Sequence, residues 1–274
     1  MNRPRIIDGD GHIQEDIAAI SRRLPAEYRR MAETSGGALG IFPPLDHLHT
    51  AFRDTPATLQ GRGRVGPEEW IAFLDDVGIE ATVLFPTAGL SYGRIPYPEV
   101  GVAVTRAYND WLHETYTSRS RRFKGMALIP MQDPEAAAQE LRRVVTQYGF
   151  CGAMLPSNGL RGHLGSKEYW GVYQAASDLG CCLAVHGGSH IDFGMDQMDV
   201  WPFIHALGHP IGQMIALAGM VSNGVFDRYP NVRIGFMEAG VAWLLACLER
   251  FDSSWASFSQ HDASGRFLRL RPGE

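Results

Sequence analysis

Six short apolar runs, each followed by a longer stretch with helical periodicity, constrain this chain more than any other feature. The runs are residues 5–8 (RIID), 81–86 (ATVLFP), 124–130 (KGMALIP), 150–156 (FCGAMLP), 182–187 (CLAVHG) and 232–238 (VRIGFME). Residues 66–77, 98–116, 134–148, 168–179 and 211–226 lie between them, and 241–255 follow the last. In these segments apolar residues recur at three- and four-residue spacing, as at Ala138, Leu141, Val144 and Val145, which lines one helix face. The runs themselves are nearly continuous rather than alternating, as strands are when a parallel sheet is covered on both faces. The alternation predicts an α/β protein, either a (β/α) barrel or a doubly wound sheet. Asp133-Pro134 reads as an N-cap with proline at the first helical position, and Gly149 and Gly180 read as C-terminal glycines.

At 274 residues, with 45% hydrophobic and 20% charged side chains, the chain has the make-up of one folded domain, not of a disordered, collagenous or coiled-coil protein. A net charge of −5 gives no basic surface for nucleic acid or for an anionic membrane. The most apolar stretch, 214–221, is shorter than a spanning helix, and acidic and glycine residues interrupt the N-terminus before a signal-peptide core could form. Cys151, Cys181, Cys182 and Cys247 make no CxxC pair and read as reduced, buried thiols of a cytoplasmic protein. Residues 23–66 break the rhythm with Gly, Pro and polar residues. They read as an insertion after the first strand, where long loops shape active sites. Residues 256–274 read as a polar, frayed tail.

Polar residues close three of the apolar runs. The first continues Asp8-Gly9-Asp10-Gly11-His12, and regular alternation would put Asp8, Asp10 and His12 on one face. A carboxylate and an imidazole so spaced form half a site for a divalent transition metal; the alternative is an Asp-Gly turn with a surface histidine. Gly9 and Gly11 are followed by Gln14 where a dinucleotide loop needs a third glycine, and no phosphate loop is present, so no nucleotide cofactor is expected. His186 follows four apolar residues and precedes two glycines, as a ligand or as a satisfied core histidine. Glu238 closes the sixth run, where a carboxylate must pair (Arg250 is one candidate), hydrogen-bond or bind metal.

Four segments carry a family resemblance: IIDGDGHIQE, KGMALIPMQDPEAAAQELRRVVTQYGFCGAMLPSN, LAVHGG, and HPIGQMIALAGMVSNGVFDRYPNVRIGFMEAGVAWLLACLERFD. Over nearly its whole length the chain resembles the amidohydrolase-related family that includes aminocarboxymuconate-semialdehyde decarboxylase and the resorcylate and carboxyvanillate decarboxylases. The resemblance implies a TIM-barrel-like metal-dependent hydrolase fold and a divalent cofactor, zinc or manganese. It would make Asp10, His12 and His186 metal ligands. Glu238 stands where the decarboxylases carry a sixth-strand histidine, and is expected to act as the catalytic base. The family's last ligand, an aspartate ending the eighth strand, has no counterpart here, so a barrel lacking its last two βα units is expected.

His209, His190 and Glu15 are the candidate substrate contacts; His205, His47 and His49 are weaker ones, and Arg94 or Arg161 could pair with a substrate carboxylate. The expected function is a metal-dependent decarboxylase or hydrolase acting on a small carboxylated or carbonyl-bearing substrate, aromatic ones included. The alternative is a catalytically incompetent or truncated member serving as a binding or subunit protein. No nucleic-acid or membrane partner is expected. The resemblance implies a homodimer, and the bare edges of a six-stranded sheet call for either exposure or closure by a neighbouring chain.

Overall fold

The apolar runs pair into a single parallel sheet whose middle strands are the most fully buried. The computed structural model describes residues 5–34, 41–48, 65–261, 268 and 270–273. Its strands are β1 (Ile7–Ile13), β2 (Ala81–Pro86), β3 (Phe123–Leu128), β4 (Gly152–Pro156), β5 (Cys182–His186) and β6 (Arg233–Phe236). Their spatial order is their sequence order, and every neighbouring pair is parallel. A doubly wound sheet reverses its strand order part-way, so this succession is that of a curled, barrel-type sheet. Among the described residues it holds six strands, with β1 and β6 at its edges. β4 is buried along its whole length, whereas β6 is only half-buried.

The helices are α1 (Ile17–Ser21), α2 (Ala26–Thr34), α3 (Pro67–Val77), α4 (Pro98–Leu112), α5 (Pro134–Tyr148), α6 (Trp170–Leu179), α7 (Trp201–Ser222), α8 (Val225–Arg228) and α9 (Ala242–Phe258). Local signals set several boundaries as expected. The Asp133 side chain accepts the Ala136 N–H ahead of Pro134, and Gly149 and Gly180 end α5 and α6 in left-handed conformation at φ 67° and 62°. The main core is a cluster of strand residues such as Leu84, Phe85, Leu128, Leu155 and Val185, packed against Val104, Leu141, Val172 and Met220 of the helices, and a smaller cluster gathers Leu217, Trp243 and Cys247.

Three elements depart from the sequence reading. β1 runs through the Asp-Gly-Asp-Gly-His motif to Ile13, but a bulge between Asp8 and Gly11 breaks the regular alternation. α7 begins at Trp201, ten residues before the expected start, and passes through Pro210. By length and composition α7 is apolar enough to cross a membrane, but half of its apolar window is buried inside the protein, with His209 and Gln213 on the buried side. The C-terminal residues do not simply fray: the Gly273 N–H donates to Asp252 of α9.

Of the expected insertion, α2 and residues 41–48 are described. Ile41, Phe42 and Leu45 are buried, and the Leu45 carbonyl accepts the His190 N–H. His49, with residues 35–40 and 50–64, lies outside the described residues.

Candidate metal centre

The bulge in β1 decides which of its polar residues face the sheet's C-terminal mouth. Asp8 lies opposite Thr82 and is tied there: its Oδ2 accepts the Thr82 hydroxyl at 2.7 Å and its Oδ1 accepts the Asp10 N–H at 3.1 Å. The extra residue breaks the alternation, so Asp8 does not share a centre with Asp10 and His12, as regular strand spacing had predicted. Gly11 is required at the bulge, because a Cβ there would lie 2.2 Å from Thr82 Oγ1.

Beyond the bulge, Asp10 and His12 meet His186 from the end of β5 and Glu238 from the turn after β6. One ligand atom from each of the four lies within 4.8 Å of every other. Asp10 Oδ1 stands 3.6 Å from His12 Nε2 and 3.5 Å from His186 Nε2, and the two nitrogens are 3.2 Å apart. The Glu238 oxygens approach each histidine Nε2 to 3.7 Å. Ligand atoms about 2.1 Å from a shared tetrahedral centre would stand about 3.4 Å apart, so these spacings match a zinc-sized or manganese-sized ion.

Hydrogen bonding behind the ligands supports the same reading. His12 Nδ1 donates to the Pro86 carbonyl at 2.7 Å and His186 Nδ1 to the Gly187 carbonyl at 3.0 Å. With the proton on Nδ1, each neutral ring turns its Nε2 lone pair into the centre. Two facing lone pairs repel unless a proton or cation lies between them. Asp10 Oδ1 is shielded from solvent and accepts no hydrogen bond, which adds an anionic donor with unmet demand. The donor set of two imidazoles and two carboxylates therefore fits a divalent ion.

Glu238 reaches the centre through an unusual backbone. Its φ is +57°, a left-handed conformation that costs a glutamate on the order of 1 kcal/mol or more, and such strain gathers at functional positions. Arg250, the pairing partner considered from sequence, forms no ion pair with Glu238; the groups around Glu238 are His12, His186 and His209.

His209, on α7, places Nε2 3.9 Å from Glu238 Oε2 and packs its ring edge-on to His190 and His205. Gly187 makes room for it, since a Cβ there would lie 1.7 Å from His209 Nδ1. His190 is buried, its Nδ1 3.2 Å from Asp46 Oδ2. That pairing ties the insertion to the loop after β5, and Asp46 had no signal of its own in the sequence.

Glu15 does not join the four-residue cluster. It is buried, and its carboxylate accepts the N–H groups of Thr87, Ala88 and Gly89 at 3.1, 3.1 and 2.7 Å, anchoring the turn after β2. Burial pushes its pKa up despite these three donors. Arg94 is paired with Asp192 at 2.8 Å and, with Arg161, lines a separate cleft of about 160 Å³ bounded by Gln132, Glu168 and Tyr169. His47 reaches the Met198 carbonyl rather than the ligand set.

Known proteins share this arrangement of strands. The chain is 30% identical over 209 residues to a gamma-resorcylate decarboxylase of Rhodococcus jostii, covering 64% of this chain and 57% of that one. It is 26% identical over 166 residues to 2-amino-3-carboxymuconate-6-semialdehyde decarboxylase of Dictyostelium discoideum, covering 61% and 45%. The chain thus spans about half the length of the curated relatives it matches. Among solved structures it superposes on an amidohydrolase of Mycobacterium avium subsp. paratuberculosis with a TM-score of 0.76 at 20% identity, over 99% of this chain and 81% of that one. It also superposes on 5-carboxyvanillate decarboxylase of Novosphingobium aromaticivorans, solved with manganese and 4-hydroxy-3-methoxy-5-nitrobenzoic acid, with a TM-score of 0.70 at 20% identity over 97% and 74%. The Amidohydro_2 family model, described as amidohydrolase, matches residues 7–271, and the chain belongs to that family.

Proposed function

We propose that the protein is a metal-dependent carboxy-lyase acting on a small aromatic carboxylate. The observation that carries this reading is the convergence of Asp10, His12, His186 and Glu238 on one point at the C-terminal mouth of the sheet. A divalent ion, manganese or zinc, would be held by Asp10, His12 and His186, with Glu238 beside them. When bound, such an ion polarises substrate oxygens and stabilises the negative charge that develops as carbon dioxide leaves.

The chain's own residues supply the rest. In decarboxylation the bond between ring carbon and carboxylate breaks, its electron pair stays on the ring carbon, and that carbon takes up a proton. Glu238, more than a third exposed at the mouth, holds and delivers that proton at Oε1 or Oε2 and regains one from solvent. His209 lies beside Glu238 Oε2 and orients the substrate together with His190, which Asp46 fixes in place. The free state of all four cysteines accords with a reducing, cytoplasmic setting. The half-buried β6, the exposed Ile7 at the start of β1 and the exposed Ile6 just before it accord with a homodimer that covers these edges.

Manganese-loaded protein incubated with 2,6-dihydroxybenzoate and 5-carboxyvanillate tests the reading, with carbon dioxide release and loss of the substrate's ultraviolet band as readouts. Turnover that disappears on chelation and returns with manganese is the expected result. One bound ion per chain without decarboxylation, but with cleavage of an ester or amide panel, would replace this reading with a hydrolase. Absence of bound ion after manganese supplementation would favour a non-catalytic binding role.

A further inference from the structure

We propose that Gln213 is a positioning residue for the metal centre, holding the strand ends that carry His186 and Glu238 at one fixed spacing. Gln213 lies on α7 and is fully buried. Its Nε2 donates to the Val185 carbonyl at 3.1 Å and to the Met237 carbonyl at 3.0 Å. Val185 immediately precedes the ligand His186, and Met237 immediately precedes Glu238 at the same centre. Because a peptide unit is planar and rotates as one body, fixing the Val185 C=O orients the link to His186, and fixing the Met237 C=O orients the link to Glu238.

This clamp acts where the sheet offers least support. The β5–β6 pairing reaches Val185 and Phe236, and the Met237 N–H bond to the Val185 carbonyl, at 2.9 Å, continues it one step further. Glu238 then turns away in left-handed conformation. No strand among the described residues pairs with the far side of β6. One amide nitrogen has two hydrogens, and here it spends one on each strand end. The side-chain oxygen of Gln213 is buried and accepts nothing, so the residue serves as a double donor and not as an acceptor. An ionised carboxylate of the same size would face two carbonyl oxygens, and an apolar side chain would leave the Met237 carbonyl without this bond.

The inference rests on the metal-centre reading above, and manganese affinity, measured by competition with a fluorescent chelator, separates the two. Wild type is expected to bind one ion, Gln213→Met to bind it about 10- to 100-fold more weakly, and Gln213→Glu to be weakened as well. Leu217→Ala, one turn along α7 and packed on Trp243 and Cys247 instead, serves as the stability control. It should lower Tm at least as much while changing the affinity less than about twofold. Unchanged affinity in a folded Gln213 variant, or an equal loss in Leu217→Ala, overturns the positioning role. Failure of wild type to bind manganese overturns the metal-centre reading and this inference with it.

Discussion

His12 and His186 point their Nε2 atoms at each other across 3.2 Å, while the opposite nitrogen of each ring donates to a backbone carbonyl. The two rings come from β1 and β5, 174 residues apart in sequence, and their shared tautomer is dictated by Pro86 and Gly187. An arrangement of facing lone pairs is a demand for a cation. It also makes the centre's contribution to stability conditional on that cation.

Metal should therefore stabilise the folded chain by mass action. At free manganese about 100 times its dissociation constant the gain is about 2.7 kcal/mol, visible as a rise in Tm that a chelator reverses. His186→Ala should abolish the rise and lower ion content at least about tenfold. Identical melting curves with and without manganese for wild type would count against the centre.

Glu238 combines a strained backbone with the proton-transfer role proposed for it. Glu238→Gln should cut turnover by about 100-fold or more, on the scale of a lost acid–base group. Glu238→Gly should be equally inactive, yet the metal-free protein should be as stable as wild type or up to about 1 kcal/mol more so, because glycine adopts the +57° backbone freely. A metal-free Glu238→Gly protein that melts well below wild type would show that the side chain is a structural brace instead.

Gly187 is the space His209 occupies. Gly187→Ala should displace that ring and lower turnover about tenfold to 100-fold with the fold retained. Gly171→Ala, in the first turn of α6 with open space around its added methyl, should leave turnover unchanged. Full activity in Gly187→Ala would remove His209 from the substrate-contacting set.

Glu15 makes a pH prediction with a definite sign. Burial raises its folded pKa above the ordinary value of 4.5, so the folded chain holds this proton more tightly than the unfolded one. Its contribution is then most favourable below 4.5 and declines as pH rises through the folded value. Glu15→Gln lacks this dependence. The stability difference, wild type minus Glu15→Gln, should fall as pH rises above 4.5 in urea unfolding of metal-free protein, and a difference that rises would refute the assignment.

Much of the architecture is legible locally because burial on both faces leaves an unmistakable apolar run. Each of the six runs overlaps a strand, and Asp133, Gly149 and Gly180 end helices by geometry that needs no distant partner. The bulge in β1 is not legible in the same way. The strand's second half is Gly-Asp-Gly-His, which reads as a turn until pairing with β2 holds it extended. The start of α7 is obscured for a related reason: proline ordinarily interrupts a helix, so His209-Pro210 looks like a beginning, whereas packing carries the helix through it. The anchoring of Glu15 is not legible because its partners, the N–H groups at 87–89, lie more than seventy residues away.

Local pattern and family resemblance together carry the alternating strands and helices, the amidohydrolase membership and the three residues Asp10, His12 and His186, because these are written as composition and short motifs. Tertiary structure alone decides that Asp8 is turned out of the centre by a bulge, that Glu238 comes within 3.7 Å of both histidines, and that Gln213 spans two strand ends. Those outcomes depend on distances between segments far apart in the chain. Burial pattern specifies that segments meet, but the bonds formed where they meet set which atoms face one another.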